Sequence, residues 1–158
     1  MNVQHKYALT VKWMGNTGQG TSDYRSYERN HRVSIDKKAD ILCSSDPSFR
    51  GDETKYNPEE LLVASISSCH MLWYLHLCSE AGVVVIDYTD NATGIIQETK
   101  DGGGHFSEVT LNPIVIVSDK SMIEKANELH SRANKLCFIA NSCNFLIQHK
   151  PTCKTEND

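Results

Sequence analysis

Between Glu60 and Glu80 the sequence has no Asp, Glu, Lys or Arg, and nowhere does it contain a CxxC pair, a basic cluster, a GxGxxG motif or a P-loop. Without paired CxxC spacing, a structural zinc site of the usual kind is not expected. With a net charge of −4 and no basic cluster, nucleic acids and anionic membranes are poor partners. The first residues, MNVQHKYALTVKW, lack the apolar core of a secretory signal, so the expected location is the cytoplasm. In that reducing compartment the six cysteines (Cys43, Cys69, Cys78, Cys137, Cys143 and Cys153) are not a disulfide framework. His70 and His76 are six apart and do not make the i, i+4 pair that binds metal on a helix, so both are read as buried, hydrogen-bonded histidines. Gly102 to Gly104 lies outside any nucleotide-binding context and reads as a hairpin turn.

What the sequence does have is one dominant stretch, Asn57 to Gly82. Asn57 is a candidate N-cap and Pro58 suits the first helical position. Glu59 and Glu60 place carboxylates at the positive end of the helix dipole, and Gly82 suits its termination. An uncharged helix is predicted to be surrounded by protein. The stretch Leu61–Ser79 has the length of a membrane span. However, Ser65, Ser67, Ser68, Ser79, His70 and His76 are costly in lipid, and no Lys/Arg cluster flanks it. The expectation is a helix wrapped by its own chain or by a second subunit.

Composition is ordinary for a globular protein, 39% hydrophobic and 23% charged, and 158 residues predict a single domain, 1–158. Strands are predicted at Tyr7–Met14, within Tyr24–Ile35 and at Ile41–Cys43, followed by an irregular loop to Tyr56. After the central helix, Val83–Tyr88 and Ala92–Thr99 read as strands, and His105–Val117 returns as one strand after the glycine turn, with an edge or bulge at Pro113. Ser121 and Glu124 predict a capping box, and Ile123, Ala126, Leu129, Ala133 and Leu136 follow helical spacing to about Cys137. Asn144–Gln148 reads as a last strand and the tail KTEND as frayed. The order gives an α+β fold with antiparallel sheet.

Candidate chemistry centres on Cys69, in the middle of the uncharged helix, and Cys137, at the end of the second helix, where a chain reversal would set it against the first. Cys78 is nine residues from Cys69, on the opposite side of the helix and ~13 Å away along the axis, too far for a bond within one chain. Glu59 is ~15 Å from Cys69 along the same helix, so a carboxylate assisting that thiol must come from elsewhere, such as a second copy. Arg50 lies in the loop before the helix, and Arg25, Arg29 and Arg32 lie on the second strand region. Cys43, Cys143 and Cys153 have no supporting pattern.

The combination N-P-E-E-L-L…S-S-C, with Cys69 ten residues after Glu59 and a second cysteine in H-S-R-A-N-K-L-C-F-I-A-N-S, resembles the OsmC/Ohr family of thiol-dependent hydroperoxide reductases. The segments W-M-G-N-T-G-Q-G-T, S-S-D-P-S-F-R-G-D and H-M-L-W-Y-L-H-L-C extend the resemblance over nearly the whole chain. It implies an OsmC-like fold, with antiparallel sheets wrapped around two central helices in an intertwined homodimer whose active sites lie at the subunit interface. It also implies that Cys69 is peroxidatic, Cys137 resolving, and Glu59 of one chain paired with an arginine beside the Cys69 of the other. Arg50 is the best match for that arginine, with Arg25 or Arg29 as alternatives. No cofactor is implied; the substrate is a small organic hydroperoxide and the reductant an external dithiol, lipoyl-type or similar. Two positions depart from the family: His70 follows Cys69 where many relatives have an aromatic residue, and Phe138 follows Cys137 where proline is common. A non-catalytic redox-sensing or small-molecule-binding dimer on the same fold is the rival expectation. A metal-binding protein using Cys69, His70 or Cys137 is a third.

Overall fold

The computed structural model describes residues 3–157. They form two compact units, split at Leu61/Leu62. The first unit is a three-stranded antiparallel sheet of β1 (Thr10–Trp13), β2 (His31–Ser34) and β3 (Ile41–Cys43), in the order β1-β2-β3. The predicted second strand shrinks to its last residues. The segment before it is a string of turns, in which Ser26 Oγ bonds the carbonyls of Gly20 and Asp23 and Trp13 Nε1 bonds the Glu28 carbonyl. Such side-chain bonds to the backbone compete with a strand ladder.

The uncharged helix α1 runs Pro58–Glu80. Asn57 does more than the expected cap. Its side-chain oxygen accepts from the Glu60 N–H at 2.8 Å and its own N–H donates to the Glu60 carboxylate at 3.0 Å, a reciprocal box. Gly82, at φ +71°, reverses the chain while Val83 N–H bonds the Cys78 carbonyl.

The second unit is organised by one long bent hairpin. Its first arm is β4 (Val85–Asp90) and β5 (Thr93–Glu98); its second is β6 (Gly104–Leu111) and β7 (Pro113–Val117). The bend divides it between two sheets, β4-β7-β9 and β5-β6-β8. The expected single strand His105–Val117 is therefore broken at Asn112. The Asp90 carboxylate holds the break: it accepts from the Asn112 N–H at 2.7 Å and from the Ser67 hydroxyl on α1. Pro113 begins β7, a position where no ladder N–H is needed, and bulges lie in β4 between Val85 and Asp87 and in β6 between Phe106 and Glu108.

Each half of the hairpin gains a third strand from the C-terminal segment, β8 (Leu146–His149) parallel to β6 and β9 (Thr152–Lys154) parallel to β7. The α+β architecture is as expected, but the sheets of this unit are mixed rather than purely antiparallel. The tail is ordered further than predicted, since Lys154 closes β9; Asp158 lies outside the described residues. The helix α2 spans Ile123–Leu136 after a short 3₁₀ turn. Its entry is capped by Asp119, which accepts from the Ser121 N–H and hydroxyl, not by the expected Ser121–Glu124 box. The predicted apolar stripe does face inward, with Ala126, Leu129 and Ala133 buried against Tyr74, Leu77 and Cys78 of α1 and Val115 and Val117 of β7.

By length and composition α1 would cross a membrane, yet its side chains at Ile66, His70, Tyr74, Leu77 and Cys78 are buried in the protein. Replacing Asn57 by alanine removes both bonds of the box and is expected to cost about 1 kcal/mol in urea unfolding. An unchanged midpoint would show that the box contributes nothing.

Candidate functional site

One stripe of α1 carries Cys69 and, four and seven residues on, Trp73 and His76. Cys137 ends α2: its φ of −65° and ψ of 111° turn the chain out of the helix while its N–H still bonds the Ala133 carbonyl. This turn brings the Cys137 thiol, fully buried, close enough to half-buried Cys69 for the two to interact. Burial, and then the interaction with Cys69, push the Cys137 thiol up to about 11. It therefore stays protonated at neutral pH and is the donor of the pair, while the Ala140 N–H donates back to Cys137 Sγ at 3.4 Å. Beside the thiols, Trp73 and Phe138 meet edge to face with centroids 5.7 Å apart, and Phe138 is 66% exposed. Leu72, Trp73 and His76 line a shallow surface hollow. His76 is exposed and faces Glu80 at 3.5 Å, which corrects the expectation that it is buried.

In the first unit, Glu59 lies in the opening turn of α1, with its Oε2 buried and without a hydrogen-bond partner. Arg50 follows the 3₁₀ turn Pro47–Phe49 in the left-handed conformation, φ 66°, and is exposed, its guanidinium 6.0 Å from the Tyr24 ring. The structure does not join Arg50 to Glu59. Arg29 is committed elsewhere: it donates to the Tyr24 and Tyr27 carbonyls and lies over both rings at 4.3 and 4.2 Å. Arg32 pairs with Asp40 at 3.5 Å, and Arg25 is exposed.

The next stripe of α1 holds a constellation that sequence reasoning missed. His70 Nε2 lies 3.0 Å from His130 Nδ1, the two rings nearly coplanar in orientation at 6°. His130 stacks on Tyr74 at 3.9 Å and places Nε2 3.9 Å from Cys153 Sγ, and the Tyr74 hydroxyl is 3.8 Å from the same sulfur. His149 packs beside His70 with centroids 5.8 Å apart. Burial lowers His70 to about 4 and His130 to about 3, so both are neutral. The only signal in the sequence was the expectation that His70 is buried. Cys153 sits one residue before the tail expected to fray, with no motif around it. Among the described residues no group of three or more His, Cys, Asp or Glu is arranged to hold a metal ion.

A family profile described as OsmC-like protein matches residues 51–155. The chain belongs to the OsmC family. An OsmC-like protein of unknown function from Vibrio cholerae is 30% identical, with a TM-score of 0.85, over 94% of this chain and 100% of that one. An organic hydroperoxide resistance protein from Elizabethkingia anophelis shares the fold at 21% identity and TM-score 0.68, over 98% and 100% of the two chains. One from Legionella pneumophila does so at 17% identity and TM-score 0.69, over 96% and 100%. No curated protein matches the chain. The OsmC fold thus holds two thiol-bearing constellations in this chain, one at Cys69 and Cys137 and one around Cys153.

The neutral histidines carry a pH signature. Both titrate below their ordinary value of 6.5, so the unfolded chain binds protons that the folded chain refuses. Their contribution to stability is complete above pH 6.5 and is lost as pH falls toward 4, at up to about 1.4 kcal/mol per pH unit for each imidazole. The urea midpoint is expected to fall between pH 6.5 and 5, above the range in which ordinary carboxylates titrate. A flat midpoint over that window would contradict the buried neutral stack.

Proposed function

We propose that the chain is a thiol-dependent peroxidase that reduces organic hydroperoxides to alcohols. The observation that carries this reading is the interaction of Cys69 with Cys137, two thiols from different helices, one half-buried and one buried. Once Cys69 is deprotonated, the Cys137 S–H is the donor that faces its thiolate. That thiolate attacks the distal oxygen of ROOH; the O–O bond breaks, an S–O bond forms, and the departing alkoxide takes up a proton as ROH. Cys137 then condenses with the Cys69 sulfenic acid, giving a disulfide and water. The Ala140 N–H supports the Cys137 sulfur as its proton leaves. An external dithiol, lipoyl-type or similar, returns the pair to thiols, and no resident cofactor takes part. Leu72, Trp73 and Phe138 favour an alkyl or aryl peroxide over H₂O₂.

The working form in this reading is a homodimer. The uncharged α1 leaves Leu72 63% exposed, and Phe138 beside the thiols stands as open to water. A second copy covering this surface would sheath the helix and bring its Glu59 and Arg50 to the thiols. The guanidinium would favour the thiolate and donate to the peroxide oxygens, while the now unpartnered Glu59 oxygen would hold it in place.

With dithiothreitol or dihydrolipoamide, the protein is expected to consume cumene hydroperoxide, and Cys69→Ser to lose at least about 10³-fold of that rate, since no other group supplies the nucleophile. Cys137→Ser is expected to complete one turnover and then accumulate sulfinic acid at Cys69, read by mass spectrometry. A wild type that forms the Cys69–Cys137 disulfide stoichiometrically but does not turn over would make it a sensor instead. In sedimentation a dimer is expected; a stable folded monomer would remove the shared site.

A further inference from the structure

We propose that Cys153, His130 and His70 form a second thiol site, separate from Cys69 and Cys137, at which a hydroperoxide oxidises Cys153 while His130 carries the thiol proton to the leaving oxygen. Neither geometry nor chemistry at this site depends on the first pair.

The arrangement is that of a nucleophile, a base and a group that orients the base. Cys153 Sγ lies 3.9 Å from His130 Nε2, and His130 Nδ1 lies 3.0 Å from His70 Nε2. With His130 Nδ1–H donating to His70, Nε2 is left bare and accepts from the Cys153 S–H. The Tyr74 hydroxyl, 3.8 Å from the same sulfur, donates to it and to the charge that develops there. Stacking of His130 on Tyr74 at 3.9 Å fixes the ring plane. His70 is wholly buried, and its Nδ1 has no partner, a cost that a merely structural stack has no reason to carry. Cys153 itself is only half-buried, on the three-residue strand β9 that pairs with β7 alone.

The surroundings select the electrophile. The titratable groups facing the Cys153–His130 pair are His70, Tyr74 and Cys78 on α1, Tyr88 on β4 and His149 on β8, with Cys153 itself on β9; Asp90 acts on Tyr88 from the end of β4. Burial raises the thiols and the phenols and lowers the imidazoles, so the five facing groups and Cys153 all rest neutral. An alkylating agent that releases a halide would strand a proton on His130 and leave a buried cation. A hydroperoxide does not. The S–H proton passes to His130 as sulfur attacks, the O–O bond breaks, and the proton moves on to the alkoxide, giving Cys153–SOH and ROH with no net charge left behind. Cys78, in the same core cluster as Tyr74 and Cys153, would condense with that sulfenic acid, giving a disulfide and water.

Cys143 is the internal comparison. It is also half-buried and also raised by burial, but its thiol donates to the Ile139 carbonyl at 3.3 Å and no imidazole attends it. The Cys69→Ser/Cys137→Ser protein would be treated with cumene hydroperoxide, with and without dimedone, and mapped by mass spectrometry. Cys153 is expected as a dimedone adduct or in a disulfide with Cys78, about tenfold faster than Cys143 at pH 7, below the full gain of a general base because burial makes His130 a weak one. Its rate is expected to be nearly constant from pH 6 to 8, because His130 stays the neutral base throughout. A thiolate route would rise tenfold per pH unit instead. With iodoacetamide the advantage over Cys143 is expected to vanish. Oxidation of Cys153 no faster than Cys143, or a rate rising tenfold per unit, would overturn the site. His130→Gln is expected to bring Cys153 down to the Cys143 rate, and equal rates in that variant and its parent would also overturn it.

Discussion

A helix without a charged side chain over most of its length cannot present any side to water at low cost, and the second unit of this protein is arranged around that constraint. One stripe of α1 meets it within the chain, where Ile66, His70, Tyr74, Leu77 and Cys78 are packed against β6, β7 and α2. Gly94 on β5 belongs to the same packing, since a Cβ there would come within 2.9 Å of Val63 on the helix. The neighbouring stripe, with Cys69, Leu72 and Trp73, is left partly open. The chemistry divides along the same line, one thiol pair on the open side and a neutral histidine–thiol–phenol chain on the closed side.

The two sides use burial in opposite ways. At Cys137 burial holds a proton on sulfur, and this makes that thiol a donor to its accessible neighbour. Around His130 burial takes the proton off nitrogen, which leaves a base without charge. Both results follow from the same penalty on charge in a poorly solvated interior. The Asp90 carboxylate shows the third outcome: it is half-buried and bonded by Ser67 and by the Asn112 backbone, so it ties α1 to the bend of the hairpin.

Much of this was legible in the sequence because it is local. Asn57, Pro58 and Gly82 bound α1 as their backbone preferences require, and the stripe from Ile123 to Leu136 gives α2 its inner face. The OsmC family was carried by the spacing from Glu59 to Cys69 and by Cys137. What escaped depends on partners distant in the chain. Asn112 breaks a run that reads as one strand, since Asp90, 22 positions earlier, captures its N–H. β9 is short and polar, and only its parallel pairing with β7 makes it a strand. Cys153 has no motif around it; its companions come from α1 and α2, 79 and 23 positions away. Glu59 and Arg50 were readable as candidates, but no local rule fixes where such charged ends meet.

The bent hairpin and its two C-terminal additions have a consequence for assembly. Neither sheet of the second unit can be finished until β8 and β9 arrive, because each supplies a third strand from well beyond the hairpin. Parallel pairing across so long a span closes late. Until then the exposed edges of β6 and β7 are open templates for foreign strands. The short closing strands thus act as clasps for the newborn chain, and clipping them would unlatch both sheets at once.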